Sequence, residues 1–394
     1  MAGSDTRVTG GDKGVIGPAP SGDRHGAPAD GSDRILVVNA GSSSLKLRVL
    51  DAQDTLVASA DLPAPNGAKD TEAVATAIAG FGTIRAVGHR IVHGGERYSG
   101  PVLVNREVEA NLRALTDLAP LHQPKSLVAM EAVSSVLPDA PAVACFDTAF
   151  HAGMPRVATT YAIPTEWRKR WPLRKYGFHG LSHAHAARRA AEIVEGRQDD
   201  LRIVTCHLGA GASLAAVKGG RSVDTTMGFT PLDGLVMATR SGSIDPGLVL
   251  WLESHVGMPP SELAATLENR SGLLGLAGSS DMRVVLAAEA AGDEASILAI
   301  GVYLHRLRGS IASMVASLGG LDVLVFTGGV GEQAPSIRSR AANGLGFLGV
   351  SVDLALNNAV DGDTEISADG APVRTLVIVA REDLEIAREV RTLI

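Results

Sequence analysis

A strand, a short turn of small residues and a returning strand occur once in each half of the chain. In the first half Ile35-Leu36-Val37-Val38 reads as a buried strand, Asn39-Ala40-Gly41-Ser42-Ser43-Ser44 as a polar turn, and residues 45–50 as the return. About 170 residues later Ile203-Val204-Thr205-Cys206 leads into His207-Leu208-Gly209-Ala210-Gly211-Ala212-Ser213 and a strand over 214–217. The chain has 394 residues, more than one hydrophobic core usually serves, so the repeat predicts two similar domains, each offering its turn to a shared cleft. Two weakly similar copies can also arise by coincidence, so the remaining pattern has to agree with them.

It does so through alternation of strands and helices. Ile297, Ile300, Leu304, Leu307, Ile311, Met314 and Leu318 recur at helical spacing over 294–318, and Gly319-Gly320 supplies the stop. A strand over 321–327 follows and runs into Gly328-Gly329-Val330-Gly331-Glu332 and a further helical pattern, which predicts an α/β class with mixed sheets flanked by helices. Residues 1–33 are rich in Gly, Asp, Ser and Pro and poor in large apolar side chains, which predicts a disordered tail.

Composition removes several functions. The formal charge is −7, from 36 basic and 43 acidic residues, so no general basic field is available to hold nucleic acid. Only Cys145 and Cys206 occur, each inside an apolar run, which supports neither a disulfide framework nor a zinc cluster and fits a reducing cytoplasm. No apolar stretch reaches the length needed to span a bilayer, and no signal-peptide core is recognisable at the N-terminus.

Small-residue turns let backbone N–H groups approach an anion, and residues 39–44 form such a turn, with Lys46 close by. A lysine on a strand is more often a solvated edge charge. Gly88-His89-Arg90-Ile91-Val92-His93-Gly94-Gly95-Glu96 gathers charged groups and glycines after an apolar run, a pattern shared by functional loops and by ordinary turns. Ala142-Val143-Ala144-Cys145-Phe146 delivers Asp147 at a strand end, where carboxylates commonly bind magnesium and also commonly cap helices. Tyr176-Gly177-Phe178-His179-Gly180-Leu181-Ser182-His183 and Met237-Ala238-Thr239-Arg240-Ser241-Gly242 add histidines and an arginine in polar turns.

Taken in register, these strings resemble the acetate and propionate kinase family of the actin, sugar kinase and Hsp70 superfamily, over about residue 34 to the C-terminus. The carrying segments are Asn39-Ala40-Gly41-Ser42-Ser43-Ser44-Leu45-Lys46, residues 89–96, Phe146-Asp147-Thr148-Ala149-Phe150-His151 and residues 176–183. The resemblance implies two duplicated actin-like, ribonuclease H-like domains: residues 34–151 joined by a C-terminal helix over 382–394, and a nucleotide-binding domain over 152–381. It implies reversible transfer of the ATP γ-phosphoryl group to acetate, giving acetyl phosphate and ADP, in a cytoplasmic homodimer that uses Mg2+, with Mn2+ as an alternative.

The resemblance also assigns positions. Asn39 and Glu382 match magnesium-associated positions, Lys46 a nucleotide-phosphate position and Arg90 the substrate-carboxylate arginine. Asp147 matches the catalytic aspartate, and His179 with Arg240 the pair that stabilises the transition state. Val92, Leu121, Phe178 and Pro231 match the pocket for the alkyl end. His207, Leu208, Gly209, Ala210, Gly211 and the rest of that turn to Ser213, then Asp281, Met282 and Arg283, and Gly329, Val330, Gly331, Glu332 and Gln333, match segments that hold ATP. Ala210, Ser243 and Gln333 stand where asparagine, aspartate and asparagine are usual, and the lost carboxylate at 243 puts the support of Arg240 in question. Propionate or another short acid is the alternative acceptor, a phosphorylated Glu382 or histidine the alternative route, and a non-catalytic ATP-driven binding protein the alternative class.

Overall fold

The computed structural model describes residues 33–41, 44–63, 70–119, 123–195 and 200–394. All but Asp33 of the expected tail, together with Ser42, Ser43 and Leu121, lie outside the described residues.

The first sheet is built from β1 (Ile35–Ala40), β2 (Ser44–Leu50), β3 (Leu56–Pro63), β4 (Ala86–Ile91), β5 (Val102–Leu103) and β6 (Ala142–Phe146), in the order β3-β2-β1-β4-β6-β5. The second contains β7 (Arg202–Leu208), β8 (Ala212–Lys218), β9 (Arg221–Thr225), β10 (Val323–Thr327), β11 (Thr364–Glu365) and β12 (Arg374–Val377), in the order β9-β8-β7-β10-β12-β11. Each sheet has three antiparallel strands, then two parallel ones, then a short antiparallel edge strand that precedes its neighbour in the chain. The repeat seen in the sequence is therefore a repeat of topology.

Both faces of each sheet are covered, which is why the central strands read as continuous apolar runs. Successive side chains alternate between faces. Leu36 and Val38 of β1 pack with Val74 and Ile78 of the helix Asp70–Ala79 and with Val133 of the helix Gln123–Val136. Ile35 and Val37 pack instead against Ile386, Ala387 and Val390 of the C-terminal helix Glu382–Arg391, which lies on the first sheet. In the second sheet Val204, Cys206 and Leu208 face the long helix Glu294–Leu318, and Ile203 faces Ala186, Ala187 and Ala190 of the helix Gly180–Ile193. The long helix has the expected bounds: Asp293 accepts from Ser296 N at its start, and Gly319, at φ 72°, ends it.

The two hairpins differ from expectation in one respect. Asn39 and Ala40 belong to β1, and His207 and Leu208 to β7, because Asn39 pairs with Lys46 and His207 with Ser213 in the ladders. Composition marks these polar and small residues as turn, but ladder register overrides it, and the second turn shrinks to residues 209–211, closed by Gly209 N donating to Gly211 O at 3.0 Å. Asn39 and His207 are thus held on strands rather than on loops. Among the described residues no helix is long and apolar enough to cross a membrane.

Candidate active site

Parallel pairing of β1, β4 and β6 brings Asn39, Arg90 and Asp147 to neighbouring strand ends. The Arg90 Nε donates to Asp147 Oδ1 at 3.0 Å and Nη2 donates to Oδ2 at 2.7 Å, a two-pronged clamp. Arg90 Nη1 donates to Asn39 Oδ1 at 3.0 Å, and Asn39 Nδ2 donates to Glu382 Oε2 at 2.8 Å. Glu382 opens its helix, where the N-terminal dipole favours a carboxylate. Burial opposes the Glu382 charge, but Arg90, His207 and Asn39 together hold its carboxyl below the usual range. Burial likewise pushes Asp147 up while Arg90 pulls it down, and Arg90 itself stays charged because Asp147 and Glu382 outweigh its burial.

Asp147 also sets the next element. Gly180 N donates to Asp147 O at 2.9 Å, and a Cβ on Gly180 would come within 2.2 Å of that oxygen, so only glycine lets the helix Gly180–Ile193 start there. His179, just before it, adopts φ 56°, a left-handed conformation that turns its ring toward the cleft. A cavity of about 200 Å³ lies in front, lined by Arg90, Asp147, His179 and Arg240 together with Val92, Phe178 and Pro231. The four polar groups expected from separate strings are thus brought to one place, with three of the four expected apolar residues beside them.

One further residue lining this cavity, and one that braces a lining residue, have no signal in the sequence. Lys125 lines it from the first turn of the helix Gln123–Val136. Glu268, on the helix Pro260–Asn269, accepts from Arg240 Nε at 2.5 Å and supplies the carboxylate that position 243 lacks. Ser243 acts elsewhere, since its hydroxyl donates to Asp233 at 2.5 Å and accepts from Gly234 N, tying its own loop. A lysine or glutamate in a helix ordinarily reads as a solvated charge, so neither Lys125 nor Glu268 could be singled out.

A second cavity of about 510 Å³ is lined by Gly209, Ala210, Asp281, Met282, Arg283, Gly329, Val330 and Gln333, with Leu273, Leu286 and Tyr303 giving it an apolar wall. The turn 209–211 separates the two spaces, with Gly211 in the smaller and Gly209 and Ala210 in the larger. Gly331 and Glu332 sit behind the wall: their carbonyls accept from the buried Arg338, and Glu332 Oε1 accepts from Ala380 N. His207 and Leu208 lead into the turn from β7. Lys46 lines neither cavity; it borders a third hollow beyond Asn39 and Glu382.

Fold and site together define a protein of the actin, sugar kinase and Hsp70 class, with cationic groups and a histidine gathered at one end of a cleft and an apolar recess at the other. The chain belongs to the acetokinase family, whose model matches residues 71–388. It is similar to the acetate kinase of Shouchella clausii, at 42% identity over 387 residues covering 90% of this chain and 98% of that one. The acetate kinase of Microcystis aeruginosa is 48% identical over 79% of this chain and 78% of its own. Among solved structures, Porphyromonas gingivalis acetate kinase superposes with a TM-score of 0.84 at 34% identity over 92% of this chain and 99% of that one. A Francisella tularensis propionate kinase gives 0.85 at 36% identity over 92% and 100%.

Burial depresses a whole set of histidines: His93 and His151 to about 4, His89 to about 3, and His179, His183 and His207 below the usual range. Each folded pKa lies below its unfolded value of about 6.5, so unfolding takes up protons in acid. The stability these rings contribute is complete above about pH 6.5 and is lost as pH falls toward 4, at about 1.4 kcal/mol per ring per pH unit. Thermal melts followed by circular dichroism should show a midpoint that is flat above about pH 7 and falls steeply below about pH 6. A midpoint unchanged at about pH 5 would rule out neutral buried rings.

Proposed function

We propose that this enzyme is an acetate kinase that transfers the γ-phosphoryl group of ATP directly to the acetate carboxylate, giving acetyl phosphate and ADP. The observation that carries the reading is the convergence of Arg90, His179 and Arg240 on one small cavity, separated only by a glycine-rich turn from an apolar recess of nucleoside size.

Both reactants are anions, so bringing the carboxylate to the γ-phosphorus is opposed by a repulsion that grows as water leaves the cleft. Catalysis is therefore mainly positioning and charge compensation. Arg90 has five N–H donors, of which those to Asp147 and Asn39 engage Nε and one hydrogen on each terminal nitrogen. One hydrogen on each terminal nitrogen is left for the acetate carboxylate, and Asp147 fixes the plane of the guanidinium. Arg240, braced by Glu268, reaches the same cavity from the irregular segment after β9 and can neutralise the transferring oxygens. Val92, Phe178 and Pro231 then receive the methyl group. No general base is needed, because a carboxylic acid of pKa near 4 to 5 is already ionised at neutral pH.

The adenosine would occupy the larger recess, with its phosphates crossing the turn 209–211. Glu382 and Asp147 offer oxygen donors suited to Mg2+, or Mn2+, which takes one or two carboxylates and completes its shell with water and phosphate. Among the described residues no group of three or more acidic, histidine or cysteine side chains is arranged to hold a metal alone, in keeping with that donor set. Asn39, its oxygen engaged by Arg90, would act on the cation by holding Glu382. When bound, the cation neutralises charge on the phosphate oxygens. A cytoplasmic setting is supported by the ATP requirement and by two buried free thiols.

With ATP, acetate and hydroxylamine the protein should form acetohydroxamate, and kcat/KM should fall along acetate, propionate and butyrate. Absence of hydroxamate with every acid would sink the reading, and a maximum at propionate would replace acetate as the substrate. In the same assay Asp147→Asn should lower kcat and raise the Mg2+ needed for half-maximal rate by about 10- to 100-fold. A normal magnesium titration in that variant would remove Asp147 from any metal role.

Assembly with a second copy is supported by the segment 246–256, where the helix Pro246–Trp251 and the turns Leu252–Val256 bury no side chain and leave Leu250 and Trp251 at 63% and 50% exposure. Light scattering should give twice the chain mass for the native protein and the single mass for Leu250→Asp. A native monomer would overturn the dimer.

A further inference from the structure

Both arginines at the smaller cavity are answered by acids. Arg90 is clamped by Asp147 and lies 3.7 Å from Glu382, and Arg240 is braced by Glu268. Burial and neighbouring cationic groups hold the His179 imidazole well below its usual pKa, so it adds no charge. Among the described residues, two guanidinium groups thus stand with three carboxylates, and this set is one charge negative before any substrate arrives. ATP remains an anion with a divalent cation on it, and a carboxylate acceptor brings a further negative charge. In a cleft that excludes water, that mismatch opposes binding.

One more cation lines the same cavity. Lys125 is half-buried in the first turn of the helix Gln123–Val136 and shares the lining with Arg90, Asp147, His179 and Arg240. Its charge brings the set to neutrality. A helix N-terminus is itself positive, because its first N–H groups have no partner within the helix, so it favours an acidic neighbour and disfavours a lysine. The first turn here holds no acidic residue. Helix end and ammonium therefore set positive charge on one wall of the cavity, an arrangement whose cost falls when an anion lies within reach.

The position of Lys125 is fixed by its neighbours. Gln123 is wholly buried; its Oε1 accepts from His93 N at 3.2 Å, and its Nε2 donates to His93 O at 3.2 Å and to Leu112 O at 3.3 Å. This two-way bond ties the first turn of the helix to the loop that continues β4. Ser126 and Leu127 are buried at the spacing that puts them on the same face as Gln123, and Lys125 lies off that face. Its backbone is thus held against the segment that carries Arg90 and Val92.

We propose that Lys125 is a further catalytic residue, whose ammonium contacts the carboxylate of the acceptor beside Arg90 and offsets the negative charge gathered there as the phosphoryl group approaches. The inference rests on the reading of the smaller cavity as the site of phosphoryl transfer. Arg90 supplies direction, since Asp147 fixes the plane of its guanidinium. Lys125 supplies charge without a fixed direction: an ammonium on a flexible stem can follow the acceptor oxygen as charge moves from the carboxylate toward the phosphoryl group.

Steady-state kinetics of the full-length Lys125→Met variant, which keeps a long stem and removes the charge, test this. Its kcat/KM for acetate should be lower by about 10- to 100-fold, with KM for ATP nearly unchanged. Lys125→Arg, which keeps a charge, should retain most of the native value, and ethylammonium added to Lys125→Ala should raise kcat/KM for acetate where ethanol does not. Native kcat/KM in Lys125→Met would overturn the proposal. So would a loss that neither arginine nor ethylammonium relieves, which is the pattern of a packing role. The native enzyme gives a test that needs no variant: acylation of Lys125 by a water-soluble succinimidyl ester, read by mass spectrometry, should slow in saturating acetate, and an unchanged rate would also overturn the assignment. Failure of the broader reading is separate: it appears as absence of acetohydroxamate in the native enzyme, whatever the variants do.

Discussion

The buried pairing of Arg90 with Asp147 is the constraint around which the rest of the site is arranged. Removing both charges from water is costly, and such a pair is at best a weak source of net stability. Its value here is direction. The β4–β6 register sets Arg90 against Cys145, two residues before Asp147, so the clamp forms without a long flexible reach. The carbonyl of Asp147 receives Gly180 N and so fixes where the helix after His179 begins. One residue therefore positions Arg90 through its side chain and His179 through its backbone.

The two halves share a topology and divide the chemistry. In the first sheet the strand ends present Asn39, Arg90 and Asp147, a hydrogen-bonded polar and charged array. In the second, the matching hairpin is reduced to Gly209, Ala210 and Gly211, and the strand β10 ends in the short helix Gly328–Gln333. Small residues there leave room for a ligand to pass close to the backbone. Function thus resides in what each copy carries at its strand ends, and the scaffold itself is indifferent to it.

Much of this is legible because the signals are local. The apolar runs of β1, β6 and β7, the helix Glu294–Leu318 with its glycine stop, and the glycine-flanked His179 all declare themselves within a few residues. Hairpin edges mislead because Asn39 and His207 are polar, and only cross-strand register shows that they continue the ladder. Glu268 is invisible for another reason. Its partner Arg240 is 28 positions away, and nothing in the helix Pro260–Asn269 distinguishes a glutamate that braces a guanidinium from one that faces water. Lys125 is hidden in the same way. The string Arg240-Ser241-Gly242-Ser243 suggests a weakened arginine, and the fold supplies the missing carboxylate from elsewhere.

The same geometry determines which discriminations can be steep. On the proposed reading, an acceptor without a carboxylate would leave the N–H groups of Arg90 not used by Asp147 and Asn39 without an anionic partner from the substrate, and leaving charged donors unpaired is expensive. On the proposed reading, chain length would be sensed, among the described residues, by contact of the alkyl end with Val92, Phe178 and Pro231, where one methylene is worth roughly 1 to 3 kcal/mol. On that reading, selection for a carboxylate would come from the Arg90–Asp147 clamp, whereas selection for acetate over propionate would depend on a few apolar atoms lining a cavity of about 200 Å³. Exclusion of the longer acid by lack of space can sharpen that preference, and attraction for the methyl group cannot, because the longer acid buries more apolar surface on the same wall.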